Sequence, residues 1–230
     1  MRTDSSSANV RFVANGGTIK LPRVILVDDH KILVEAFRKL LEPYCDVVAT
    51  VADGRALLEV AATLKPDLIV LDIGMPILNG LEAGRQLKSK MPSVKLIFLT
   101  MHEDPDLAVE AMGSGASGYL LKTSTNSELL HAIREALRGR SYITPQIVRG
   151  MEKKFIRDPT GRPRPKLPTP RQREVVQLLA EGKSMKEIAD VLQVTTRTVA
   201  FHKYKTMENL GLNSNAELIQ FAIKNHIVVT

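Results

Sequence analysis

From Val24 onward the chain alternates between short apolar runs and longer amphipathic stretches. The apolar runs are Val24–Val27, Val47–Val51, Leu68–Leu71, Leu96–Leu99 and Tyr119–Leu121. They are nearly continuous in apolar residues, which suits strands buried on both faces. Between and after them, apolar residues recur at helical spacing over roughly 31–42, 54–64, 79–90, 104–113 and 126–138. Thr125-Asn-Ser-Glu128 has capping-box spacing, and Gly113 and Gly139 stand where helices would stop. Five β-α repeats of about 22 residues predict a parallel five-stranded sheet covered by helices on both faces. This is a flavodoxin-like, doubly wound α/β fold with strand order 2-1-3-4-5.

The pattern then changes. Arg157-Asp-Pro-Thr-Gly-Arg-Pro-Arg-Pro-Lys-Leu-Pro168 is too rich in proline for a helix or a central strand. Beyond it the signals are helical. Thr169-Pro-Arg-Gln172 has capping-box spacing with proline at the first helical position, and Ser184–Glu187 and Ser214–Glu217 repeat the spacing. With Thr195–Leu210, these predict a small all-α domain of four helices. The expected layout is a flexible extension over 1–22, an α/β domain over 23–138, a basic Pro-rich linker over 139–166 and the helical domain over 167–230.

Charge sharpens this division. The net charge of +7 is unevenly spread. Arg23–Leu137 holds 12 basic and 16 acidic residues, Arg138–Pro165 holds 8 and 2, and Lys166–Thr230 holds 9 and 6. An acidic first domain and a basic second part suit a polyanionic partner for the second. No apolar run approaches the ~20 residues that span a bilayer, and the N-terminus lacks the apolar core of a secretory signal. The single cysteine, Cys45, excludes an internal disulfide and fits a reducing cytoplasm.

In an open parallel sheet, ligands bind beyond the carboxyl ends of the strands. There strand one ends in Asp28 and Asp29, strand three in Asp72, strand four in Thr100 and strand five in Lys122. Singly, these have plain readings: Asp28 or Asp29 could cap a helix, Thr100 could begin one, and Lys122 could be solvated. Asp72 is harder to set aside, because an ionised carboxylate after four apolar residues is costly without partners. Together they form a hard oxygen cage suited to Mg²⁺ with a fixed cation beside it. One desolvated carboxylate can then act as nucleophile toward a phosphoryl group.

The residues VDDH, LDIGMP, LT and YLLK, in this order and spacing, resemble the receiver domain of two-component response regulators over about residues 23–138. The resemblance implies that Asp72 accepts the phosphoryl group from a histidine kinase. It further implies that Asp29, Asp72 and the Gly74 carbonyl coordinate Mg²⁺, with Asp28 acting chiefly through water. Thr100 would hydrogen-bond a phosphoryl oxygen, Lys122 would pair with the aspartate or phosphoryl group, and Tyr119 matches the aromatic that switches rotamer with Thr100. Aspartate-nucleophile phosphatases need a second Asp two residues after the first. Here Gly74 stands there, so a regulator is expected rather than a turnover enzyme.

In the helical domain, Ile188–Val194 and Thr198–His202 read as a helix-turn-helix. At 100° per residue, Arg197, Phe201, Tyr204 and Glu208 lie opposite Val199, with Ala200 and Lys205 flanking. Arg, Lys, Tyr and an exposed Phe on one face suit a DNA major groove. The pattern from Leu167 to Gly211, with TVAFH and NLGL, resembles the LuxR-type helix-turn-helix. The whole chain is thus similar to NarL/FixJ-family response regulators. The resemblance implies that Ala200, Phe201 and Tyr204 read bases, that Arg197, Lys203 and Lys205 meet phosphates of double-stranded DNA, and that the last helix pairs two copies as a homodimer on DNA. His202 is expected to pack inward. Gln193 replaces the glycine common at the turn. An alternative is a DNA-binding regulator whose receiver only dimerises, independently of phosphorylation.

Overall fold

The computed structural model describes residues 20–157 and 168–228, over 153–157 the backbone alone. Most of the expected N-terminal extension and nearly all of the Pro-rich stretch therefore lie outside the described residues. The first domain runs β1 (Arg23–Val27), α1 (Lys31–Leu41), β2 (Asp46–Val51), α2 (Gly54–Leu64), β3 (Leu68–Asp72), α3 (Gly80–Lys90), β4 (Lys95–Thr100), α4 (Pro105–Gly113), β5 (Gly118–Leu121) and α5 (Asn126–Leu137). A short β6 (Tyr142–Ile143) and α6 (Pro145–Arg157) follow. The second domain is α7 (Pro170–Ala180), α8 (Met185–Leu192), α9 (Thr196–Leu210) and α10 (Asn215–Lys224).

All strand pairs are parallel, in the order β2-β1-β3-β4-β5-β6. The sheet thus has six strands where the alternation predicts five. β6 is only two residues long at an edge, too short to leave a periodic signal. The basic segment expected as linker therefore begins as part of the first domain: Ile147 of α6 is buried in that domain's core, and Gly150 lies against Pro105.

The pleat divides the core in two. Val24, Leu26, Leu68, Val70, Ile97, Leu99 and Leu120 face Leu41 of α1 and Leu129, Ala132 and Ile133 of α5. Ile25, Val27, Ile69, Leu71, Leu96, Phe98 and Tyr119 face α2, α3 and α4. Each fully buried Leu or Ile contributes roughly 1.5–3 kcal/mol, which is why these strands carry no alternating polar residues.

Local signals hold where a partner is free to make them. The capping boxes at Thr169–Gln172 and Ser184–Glu187 are reciprocal. At Thr125 only half forms, because Glu128 instead accepts a hydrogen bond from the Tyr142 hydroxyl of β6 at 3.1 Å. Gly139 takes a left-handed φ of 79° after α5, whereas α4 ends on Gly113 and leaves the left-handed turn to Gly115. Gln193 occupies the left-handed turn between α8 and α9 at φ 53°. Cys45 is buried, and burial pushes its thiol up to about 12, so it is unreactive. Among the described residues, no helix is long and apolar enough to cross a membrane.

Candidate functional site

The pleat that orders the core also gathers the acidic corner. Asp28 continues the parity of Leu26, Asp72 that of Val70 and Lys122 that of Leu120, so the three leave the sheet on one face. Lys122 reaches across β4 to both carboxylates, with Nζ 2.7 Å from Asp28 Oδ2 and 2.9 Å from Asp72 Oδ2. All three side chains are at most 5% exposed. Burial pushes the Asp72 carboxyl above its ordinary range, while the hydrogen bond and charge of Lys122 pull it back. Burial would lower the Lys122 ammonium, but the two carboxylates outweigh it and hold its pKa above the usual value.

Asp28 Oδ2 is buried, and among the described residues the Lys122 ammonium 2.7 Å away is the partner it has. Asp28 Oδ1 accepts from the His30 backbone N–H at 2.9 Å, and His30 Nδ1 lies 3.0 Å from that oxygen and 2.9 Å from Asp29 Oδ1. Donor atoms of Asp28, Asp29, His30 and Asp72 all fall within 4.8 Å of one another. His30 is a member of this cluster that the strand-end pattern does not single out. It follows directly on the two acids, and only the return of its ring onto them reveals it. Gly74 lines a pocket with Asp29. Three carboxylates whose oxygens converge in this way are a donor set that fits a hard divalent cation.

Thr100 is 1% exposed, and its Oγ1 accepts from the His102 N–H at 3.1 Å. Tyr119 is fully buried, and its hydroxyl donates to the His102 carbonyl at 3.4 Å. Burial, with Asp104 nearby, pushes the Tyr119 hydroxyl up. The Thr100 and Tyr119 side chains thus meet at one residue of the β4–α4 turn.

In the second domain, Val175, Leu178, Ile188, Ala189, Leu192 and Val199 form the helix-turn-helix core. Phe201 is 62% and Tyr204 57% exposed, and Arg197 and Lys205 are also exposed. Lys205 pairs with Glu208 at 2.9 Å, and Ala200 is half-buried. Lys203 departs from expectation. It is 7% exposed, with Nζ 5.2 Å from the centroid of the Tyr204 ring. Four residues beyond Val199 is a turn of only 40° past it, so position 203 belongs to the inward face with Val199 and Thr206 rather than to the phosphate-facing side. His202 is partly buried, with its ring edge-on to Phe201.

Comparisons with known proteins divide the chain in the same way. Residues 24–134 match the response regulator receiver domain, and residues 168–222 match the bacterial regulatory proteins of the luxR family. The oxygen regulatory protein NreC of Staphylococcus aureus is 32% identical over 90% of this chain and 99% of its own length. The RcsB response regulator of Salmonella typhimurium superposes with a TM-score of 0.57 at 27% identity, covering 88% of this chain and 98% of that one. An RcsB–DNA complex gives a TM-score of 0.56 at 26% identity, with the same coverage of both chains.

Proposed function

Because the chain belongs to the NarL/FixJ-family response regulators, DNA-binding transcription regulators of two-component systems, we propose that Asp72 is its phospho-acceptor and α9 its base-reading helix. The observation that carries the first assignment is the buried Asp28–Lys122–Asp72 cluster at the carboxyl edge of the sheet. Asp29, Asp72 and the Gly74 carbonyl would hold Mg²⁺, with Asp28 beside it; when bound, the ion screens charge on the transferring phosphoryl group. The rest of the chemistry belongs to the chain. An Asp72 oxygen attacks phosphorus as the bond to the donor's imidazole nitrogen breaks, and that nitrogen keeps the electron pair and takes a proton. Lys122 is already held against Asp72 and stays to pair with the new acyl phosphate. Thr100 gives up its bond from His102 to reach a phosphoryl oxygen, and Tyr119 follows through the shared turn. Gly74 leaves no second carboxylate to activate water, which supports a regulator rather than a turnover phosphatase.

On the DNA side, Arg197 and Lys205 suit phosphates, while Ala200, Phe201 and Tyr204 suit base edges and thymine methyls. The complex of RcsB with DNA supports this use of the second domain. Two copies on a near-palindromic site, paired through the exposed Ile219 and Ile223 of α10, complete the reading. A histidine kinase as donor and the cytoplasm as location follow from it. We divide the chain into an extension over 1–22, a receiver over 23–138 with β6 and α6 packed onto it, a linker over the rest of 139–166 and a DNA-binding domain over 167–230. The alternative of a receiver that merely dimerises leaves the Lys122-paired carboxylates without a task.

Asp72→Asn is expected to abolish Mg²⁺-dependent labelling by acetyl phosphate, read as acid-stable, base-labile phosphoprotein on a phosphate-affinity gel. Persistent labelling of that variant refutes the assignment. For the second domain, Arg197→Ala is expected to reduce the slope of log affinity against log salt by about 0.9 on a duplex of mixed sequence. Lys203→Met, by contrast, leaves the slope unchanged. A slope that fell with Lys203→Met instead would return that lysine to the DNA face.

A further inference from the structure

The second domain leaves its own DNA-facing helix open and covers the receiver's β3–α3 loop instead. Phe201 and Tyr204 stand in solvent, whereas α7 and the turn after α10 lie on residues 74–79. Gln177 of α7, 2% exposed, sets its carboxamide into that loop. Its Nε2 donates to the Met75 carbonyl at 3.1 Å, and its Oε1 accepts from the Asn79 N–H at 2.9 Å. The same Nε2 donates to Glu181 Oε1 at 2.7 Å, and Glu181 accepts from the Ile77 N–H at 3.2 Å. Asn79 Nδ2 donates to the Ile227 carbonyl at 2.7 Å, while its Oδ1 caps α3.

Ile77, at the centre of this loop, has a φ of 69°. A β-branched residue rarely adopts that region and stays there only where its surroundings hold it. Four of the bonds that hold the loop, to Met75, Ile77 and Asn79, come from the other domain. Outside the loop, Arg173 Nε donates to the buried Glu82 Oε2 of α3 at 2.7 Å, and Arg55 Nη2 donates to Glu174 Oε2 at 3.3 Å. Between the domains lies a pocket of about 210 Å³, lined on the receiver side by Asp29 and Gly74 and on the other by Gln177, Glu181 and Ile227.

We infer that Gln177 is a positioning residue for receiver phosphorylation: through it, the DNA-binding domain holds the loop that carries Gly74 and acts as a lid on the pocket over Asp29. The lid slows entry of metal and phospho-donor. Since binding couplings are reciprocal, an occupied site loosens the domain contact by the same factor. Regulation here does not require the receiver to mask the recognition helix, because the closed form leaves that helix exposed. The inference rests on Asp72 as acceptor.

The test uses the full chain, acetyl phosphate and a Mg²⁺ series, with initial rates of phosphoprotein formation as the readout. Gln177→Ala is expected to raise the rate about fivefold or more, the lower end of ordinary coupling, and to shift the Mg²⁺ concentration that gives half the maximal rate. Gln177→Glu keeps the acceptor for Asn79 but sets a second carboxylate against Glu181 and the Met75 carbonyl, so it too should raise the rate. Arg173→Ala loosens the same interface without touching the loop and should also raise the rate. A purely structural Gln177 would lower the unfolding midpoint and leave the Mg²⁺ dependence as in wild type. That result in a folded Gln177→Ala overturns the inference. If Gln177→Ala does not fold, an unchanged rate in Arg173→Ala overturns it. Failure of the underlying assignment looks different: wild type would not be labelled, or Asp72→Asn would be.

Discussion

Lys122→Met is expected to lower the unfolding free energy by about 3–5 kcal/mol in metal-free buffer, the range for removing one partner of a buried charge cluster. Methionine keeps most of the apolar stem, so the loss falls on the ammonium. That ammonium is the cation 2.7 Å from Asp28 Oδ2 and 2.9 Å from Asp72 Oδ2, with both carboxylates almost fully buried. His30 cannot replace it, because His30 sits on the opposite oxygen of Asp28 and its side chain is 65% exposed. Burial already holds the Asp72 carboxyl above its usual range, with Lys122 opposing that shift. Without Lys122 the carboxyl rises further, so the deficit should narrow as pH falls through that raised value and protonation removes the charge. Mg²⁺ should narrow it at neutral pH. Urea unfolding at two pH values, with and without Mg²⁺, checks both trends. A loss under about 1 kcal/mol that ignored Mg²⁺ would mean the ammonium is solvated rather than structural.

The acidic corner was legible because strand ends in a parallel sheet converge whatever the loops do. Asp28, Asp72, Thr100 and Lys122 each follow an apolar run whose parity is visible in sequence, so their meeting needed only the strand order. The outer face of α9 was legible for a similar reason, apart from Lys203. There the residue type suggested a phosphate contact while its angle of 40° from Val199 placed it inward, and angle prevailed because the helix must seat on its own domain. His30 left a weaker trace, since a ring that folds back on its neighbours has no period. β6 left none, being shorter than any pattern. The contacts of Gln177, Glu181 and Arg173 with the receiver were invisible. They join positions 91 to 104 residues apart through polar side chains that, read along α7 alone, would be its solvated face.

Gly80 shows what the apolar pattern hides nearest the site. In the LDIGMPILNG stretch it reads as an ordinary residue after a helix cap, and Asn79 does cap α3 by accepting from the Glu82 N–H. Yet a methyl group built on Gly80 would lie 2.0 Å from the Asp72 carbonyl oxygen and 2.9 Å from both the Asp72 carbonyl carbon and the Ile73 Cα. These are backbone atoms of the strand end that holds the proposed acceptor, fixed further by the Gly80 N–H donating to the Ile73 carbonyl at 3.0 Å. No side chain can swing aside, so the strand end or the start of α3 must move. Gly80→Ala is therefore expected to cost about 3 kcal/mol or more, at the top of the overpacking range, and to depress acetyl-phosphate labelling because the displaced atoms belong to Asp72. Gly113→Ala is the matched control. No atom lies within 4 Å of a Cβ there, so the same change at the end of α4 should stabilise by about 0.5–1 kcal/mol and leave labelling unchanged. Both variants are read by urea unfolding and by labelling rate. If Gly80→Ala kept wild-type stability and labelling, α3 would not be packed against the end of β3, and the loop between them would not be held from the receiver side.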